Sequence, residues 1–137
     1  MRARFAYDYA IIRVVPRVER EEFINVGVIV SCRAKSFLEA RIELDESRLL
    51  ALNPRLDVVP IRAHLATIPM ICAGGEQAGP IGRLSQRERF HWLVAPRSTI
   101  LQTSPVHTGY CADPSDVLEH LLETMVRPSP DHPNILE

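Results

Sequence analysis

Residues 19–32, EREEFINVGVIVSC, decide how the rest of the chain is read. From Phe23 onward the run is apolar and β-branched, the composition of a buried strand. Asn25 and Gly27 are the exceptions, since neither is favoured inside a strand. Side chains alternate across a strand, so Ile24, Val26, Val28, Val30 and Cys32 are expected on one face. Phe23, Asn25, Gly27, Ile29 and Ser31 are expected on the other. The charged residues 19–22 read as a hairpin tip.

Toward the N-terminus, residues 5–15 are again extended and β-branched. The polar segment containing Pro16 joins the two strands through a loop of about seven residues. Pairing Val14 with Ile24 sets Ile12 opposite Val26 and Ala10 opposite Val28 as the core face. Arg13 then lies beside Asn25, and Ile11 beside Gly27. In this register Gly27 leaves room for something to approach the backbone, and Arg13 and Asn25 supply directed hydrogen bonds. The approaching body is either another part of the chain or a ligand. A bulge or a packing contact is the commoner reason for a strand glycine.

Toward the C-terminus, residues 37–44 alternate as a third strand, with Leu38, Ala40, Ile42 and Leu44 inward and Glu39, Arg41 and Glu43 on a solvated face. Asp45 caps a short helix that ends at Asn53-Pro54. A second helix starts at Asp57, carries the stripe Ile61, Leu65, Ile68 and Cys72, is kinked or shortened by Pro69, and stops at Gly74-Gly75. Residues 76–89 read as a polar loop with one helical turn after Ser85. FHWLVA (90–95) and TILQT (99–103) read as strands, and SPVHTGYC (104–111) as irregular or a short edge strand. Asp113 caps a last helix with Pro114 in its first position and the stripe Val117, Leu118, Leu121, Leu122, Met125 and Val126. The proline-rich residues 128–137 are expected to form a disordered tail. This order of elements predicts one α+β domain over residues 1–127. Its mixed or antiparallel sheet has about five strands, the N-terminal hairpin and third strand plus two C-terminal strands, packed by two to three helices.

Composition narrows the function classes. The chain has 137 residues, 46% hydrophobic and 24% charged, with a formal charge of −1. That is one globular domain with no net field toward nucleic acid or an anionic membrane. Aromatic residues make up 6%, and Lys35 is the sole lysine, so the usual nucleic-acid footprint is missing. Fifteen arginines accompany that lysine. Either a GC-rich coding sequence or bidentate anion recognition accounts for the bias. Cys32, Cys72 and Cys111 form no CxxC. Asp8 and Arg13 interrupt the apolar N-terminal run, and no uncharged stretch approaches the roughly 18 residues that span a bilayer. A reducing cytoplasm is the expected setting.

The densest polar set is Arg83, Arg87, Arg89, His91, Arg97, Ser98, Thr99, Gln102, Ser104 and His107. Guanidinium groups, turn amides and hydroxyls together suit a phosphate or a carboxylate. The same arginines can instead pair with Glu19, Glu21, Glu22, Glu39 and Glu43. The GPIG stretch (79–82) matches neither the phosphate-loop nor the dinucleotide fingerprint. His91, His107, Cys111 and Cys32 lack the paired close spacings of a zinc site, and there is no nucleophile elbow. No metal, cofactor or catalytic residue is therefore assigned. The candidate ligand- or partner-binding residues are Arg13, Glu22, Asn25, Gly27, Arg83, Arg97, Ser98, Gln102, Ser104 and His107.

Three stretches, YAIIRVVPRVEREEFINVGVIV (9–30), AGPIGRL (78–84) and RFHWLVAPRSTILQTSPVHTG (89–109), resemble the bacterial family known as domain of unknown function 3037. The resemblance covers about residues 5–127 and implies no activity, cofactor or catalytic residue, because the family has none established. It does imply a paired or regulatory role, since members are at times encoded beside a HipA-like kinase. Two functions stay open. One is a partner-binding accessory module, working with such a kinase. The other is an enzyme or sensor for a phosphorylated or otherwise anionic small molecule, held in an Arg/His/Ser-lined pocket. The first calls for an exposed patch with arginine and aromatic anchors, the second for a concave polar pocket. Neither nucleic acid nor membrane is expected as a partner, and the sequence does not set the oligomeric state.

Overall fold

A computed structural model describes residues 3–97 and 99–128. The elements run β1 (Phe5–Arg17), β2 (Glu22–Cys32), β3 (Phe37–Ile42), α1 (Glu46–Leu52), α2 (Val58–Ala73), a 3₁₀ stretch (Glu76–Arg83), α3 (Gln86–Val94), β4 (Leu101–Thr103), β5 (His107–Cys111) and α4 (Pro114–Leu121), which runs on into a π turn (Leu122–Val126). The five strands form one open antiparallel sheet in the order β3-β2-β1, with β4 and β5 sharing the far edge of β1. β4 pairs with Ile12–Val14 and β5 with Phe5–Tyr9. The fold is α+β as expected, with more helices than the two or three foreseen.

The hairpin register shifts at two points, between Val14 and Arg17 beside the turn and between Ile12 and Arg13. Val14 faces Ile24 and Arg13 faces Asn25, but Ile12 faces Gly27, Ile11 faces Val28 and Ala10 faces Ile29. Val26 is an extra residue, a β-bulge, and beyond it every side chain of β2 changes face. The expected single row Ile24-Val26-Val28-Val30-Cys32 is thus split. Ile24, Val26 and Ile29 join Ile12, Val14 and Leu38 under α1, α2 and α3, with Leu49, Ile61, Leu65, Ile71, Cys72, Phe90 and Leu93. Val28 and Val30 join Ile11 on the opposite face under Leu118, Leu121, Leu122 and Val126. Both faces of the sheet are covered, so the hydrophobic run carries little alternation for a sequence reader to use. The hairpin connection is shorter than foreseen, a 3₁₀ turn at Val18–Arg20 closed by Glu21 in the left-handed region.

Local signals account for the helices. Asp45, Asp57 and Asp113 each accept a hydrogen bond from a backbone N–H of the first turn of α1, α2 and α4. Pro69 does not end α2, which continues to Ala73 and stops at Gly74, whose φ is 74°. Residues 90–95 are not a strand. Ser85 and Glu88 form a reciprocal capping box that starts α3, and the two C-terminal strands are β4 and β5 instead. In the π turn Arg127 N–H donates to Leu122 O at 2.8 Å, an i→i+5 bond. The wider turn rotates Met125 outward, to 45% exposure, and brings Val126 into the core at 4%. Met125 was expected inside. No single helix among the described residues is long and apolar enough to cross a membrane. The expected tail, apart from Pro128, lies outside the described residues.

Candidate functional site

One end of the sheet is polar on the face that α3 covers. Asp8 of β1 is paired with Ser31 of β2 on one side and Thr108 of β5 on the other. Their side chains share a face, because directly opposed residues of antiparallel strands point the same way. Thr108 Oγ1 donates to Asp8 Oδ1 at 2.7 Å. Gln86, in the first turn of α3, is clamped onto this row: its Nε2 donates to Phe37 O at 2.9 Å and to Ser31 Oγ at 3.4 Å. The clamp sets how α3 lies over the sheet. Arg87 and His91 are one helical turn apart, so they overhang the row together, while Phe90 and Leu93 bury the other flank. Arg33, two residues beyond Ser31, completes the rim. The recess between them, about 250 Å³, is lined by Asp8, Ser31, Arg33, Arg87, Phe90 and His91.

Most arginines of the chain are engaged elsewhere. Arg89 donates to the carbonyls of Ile71, Cys72 and Leu84, closing the C-terminus of α2. Arg127 grips Glu43 with two nitrogens and Glu119 with a third, and Arg41 holds the other oxygen of Glu119. This network ties α4 to β3 and corrects the expectation that Arg41 and Glu43 are simply solvated. Arg127 pulls the carboxyls of Glu43 and Glu119 below the usual range. The guanidinium groups of Arg33 and Arg87, by contrast, make no hydrogen bond or ion pair among the described residues. A larger cleft of about 440 Å³ lies beside Glu43 and Arg127, but its cations are occupied, since Arg48 there donates to Val126 O.

The residues singled out from sequence fall into separate groups. Arg13 and Asn25 are cross-strand partners, with Gln102 on the other side of Arg13. The Arg13 guanidinium stacks on Phe23, 4.1 Å from the ring centre. Asn25 Nδ2 donates to Met125 O at 3.0 Å, satisfying a carbonyl in the last turn of the helix. Arg13 Nε and Asn25 Oδ1 are buried without a partner among the described residues. Gly27 is a contact within the chain: a Cβ there would stand 2.6 Å from Arg41 O of β3. Glu22 pairs with Arg20 at the hairpin tip, and Arg83 is exposed on the 3₁₀ stretch. Arg97 donates to the carbonyls of Trp92 and Leu93 and stacks on Trp92, closing the end of α3. With Gln102 it lines a cavity of about 30 Å³, room for one or two waters. Gln102 itself donates to Thr99 O. Ser104 bridges the gap between β4 and β5: its Oγ accepts from Ile11 N–H and its own N–H donates to Ile11 O. His107 lies at the sheet edge against Tyr9, ring centres 5.3 Å apart. Ser98 lies outside the described residues.

Arg87 and His91 belong to the basic segment recognised in the sequence, but Asp8, Ser31 and Arg33 carried no signal there. Strand pairing and the docking of α3 bring them in from distant points of the chain. The cysteines offer no poised nucleophile. Burial pushes the Cys72 thiol up to about 12, and burial, then neighbouring Cys32, raises that of Cys111. Among the described residues no group of three or more His, Cys, Asp or Glu side chains converges to hold a metal.

The family model described as "Protein of unknown function (DUF3037)" matches residues 9–126. No curated protein and no solved structure matches the chain.

Proposed function

The chain belongs to this family of unknown function, DUF3037, and from its own geometry we propose that it is a small ligand-binding module whose recess beneath α3 takes an anionic group. One observation carries the reading: Arg33 and Arg87, both without an internal partner, line the same recess as His91 and the Ser31 hydroxyl. Two guanidinium groups with a hydroxyl and an imidazole provide convergent donors for a phosphate or a carboxylate. No catalytic residue is assigned. A bacterial cytoplasm is the setting we infer, in keeping with three buried cysteines that all remain thiols.

Melting curves test this. An anion present at a hundred times its Kd should stabilise the protein by about 2.7 kcal/mol, a shift of several degrees. Arg33→Ala and Arg87→Ala should abolish that shift while leaving the ligand-free melting temperature nearly unchanged, because neither side chain holds the fold together. A wild type that ignores phosphate, sulfate and nucleotides up to tens of millimolar sinks the reading.

A second reading rests on Trp92. It is 41% exposed with Arg97 stacked on it at 4.7 Å, and both residue types are enriched in interface hot spots. The partner we propose for that surface is the kinase-like protein to which the family resemblance points. Trp92→Ala should release such a partner and leave the anion response intact. Capture of the kinase-like protein by the variant as firmly as by wild type removes this reading.

A further inference from the structure

We propose that the anion held beneath α3 is a phosphate monoester on a small hydroxylated skeleton, with Asp8 reading a hydroxyl of that skeleton; this rests on the anion-binding reading above. A carboxylate, that of Asp8, lines a recess built for anions. Asp8 is not there to neutralise the arginines, since it forms no ion pair among the described residues and its hydrogen bond is to Thr108. That bond engages Oδ1 and fixes the carboxyl orientation, leaving Oδ2 as an acceptor. A lone carboxylate beside a bound anion repels it. The arrangement becomes favourable when the ligand brings a donor to that oxygen, and a hydroxyl on the skeleton that carries the phosphate does so.

Other features agree. Ser31 is 5% exposed and accepts from Gln86, so its own proton can be donated to a ligand oxygen. Two guanidinium groups match the two charges of a phosphate monoester better than the single charge of a carboxylate. A recess of about 250 Å³ is more than a bare tetrahedral anion fills. It falls short of the roughly 300–1,000 Å³ that drug-sized ligands occupy. One phosphate with about three to six carbons fits that interval, and a dinucleotide does not. The buried Phe90 ring gives the C–H edge of such a skeleton an apolar wall.

Isothermal titration of the full chain at fixed ionic strength tests this, with inorganic phosphate, ribose 5-phosphate, phosphoethanolamine and vesicles containing phosphatidylinositol phosphate as probes. Ribose 5-phosphate should bind at least about tenfold more tightly than inorganic phosphate, the contribution of one hydrogen bond to a charged group. Asp8→Asn should strengthen inorganic phosphate several-fold and reduce the preference for the sugar phosphate to within about twofold. Thr108→Val, which removes the bond orienting the carboxylate but keeps its charge, should reduce the preference while leaving inorganic phosphate unaffected. It reports even if the Asn variant folds poorly. Three results overturn the inference while the anion-binding reading stands: a preference that survives both variants, tighter binding of phosphoethanolamine than of ribose 5-phosphate, or tighter binding of the vesicles than of the free sugar phosphate. Failure of every anion to bind removes the anion-binding reading itself.

Discussion

Replacing Gly27 by alanine sets two effects of known size against each other. Gly27 has no positive φ, so alanine fits the backbone, and stiffening the unfolded chain should stabilise the protein by about 0.4–1 kcal/mol. Against this, the new Cβ would lie 2.6 Å from Arg41 O, 2.9 Å from Ile42 Cδ1 and 3.1 Å from Ile12 Cδ1. The two isoleucine methyls can turn aside. The carbonyl belongs to β3, which pairs with β2 from Gly27 to Cys32, so it moves only if the sheet opens. Overpacking of this kind costs about 1–3 kcal/mol, and a backbone obstacle places it near the upper end. The net expectation for Gly27→Ala is a loss of about 2 kcal/mol. Urea unfolding at a slope of about 2 kcal/mol per M should show the midpoint lowered by about 1 M, and Gly27→Val should lower it further. A Gly27→Ala midpoint equal to or above wild type would refute the packing account and return Gly27 to the class of residues kept for a ligand.

Two other perturbations bear on the helix across the sheet. Leu122→Ala should cost about 2–5 kcal/mol, as a fully buried side chain does, while Met125→Ala, one turn on, should cost less than about 0.5 kcal/mol because the π turn points it outward; equal losses would mean the π turn does not set the register. Acid should weaken the clamp of Arg127 on Glu43 and Glu119, whose side chains are 39% and 43% exposed. Their folded-state affinity for protons is lowered, first by the hydrogen bonds from Arg127, so the stabilisation is complete above the ordinary carboxylate range and is lost as pH falls through the depressed values. Wild type and Arg127→Met should therefore differ in melting temperature at pH 7 and converge as the pH falls below the ordinary carboxylate range, modestly, since water screens exposed pairs. A gap that persists at low pH assigns it to packing instead.

What was legible in the sequence was what short-range chemistry decides. Asp45, Asp57 and Asp113-Pro114 announced three helices through their caps, and the alternation of Leu38, Ala40 and Ile42 announced β3. Phe90–Val94 misled because an aromatic and β-branched run favours strand, whereas the Ser85/Glu88 capping box, three residues apart, had already committed the segment to helix. The bulge at Val26 left no trace because Ile24, Val28, Ile29 and Val30 are apolar whichever face they take. Asn25 and Gly27 were correctly seen as exceptions, and each serves the chain itself: Gly27 admits β3, and Asn25 holds the Met125 carbonyl. The candidate site was half visible. Arg87 and His91 stood out by charge, and recognising α3 would have shown them sharing a helix face. Asp8, Ser31 and Arg33 could not be added, because only the pairing of residue 8 with residue 31 brings them beneath that helix.

The most direct test of the anion-binding claim is a titration of isotope-labelled protein with inorganic phosphate, followed by amide chemical shifts. Saturable changes should concentrate at Ser31, Arg33, Arg87 and His91 and vanish in Arg87→Ala. Shifts that grow linearly without saturation, or that centre on Arg97 and His107 instead, would contradict the placement of the site beneath α3.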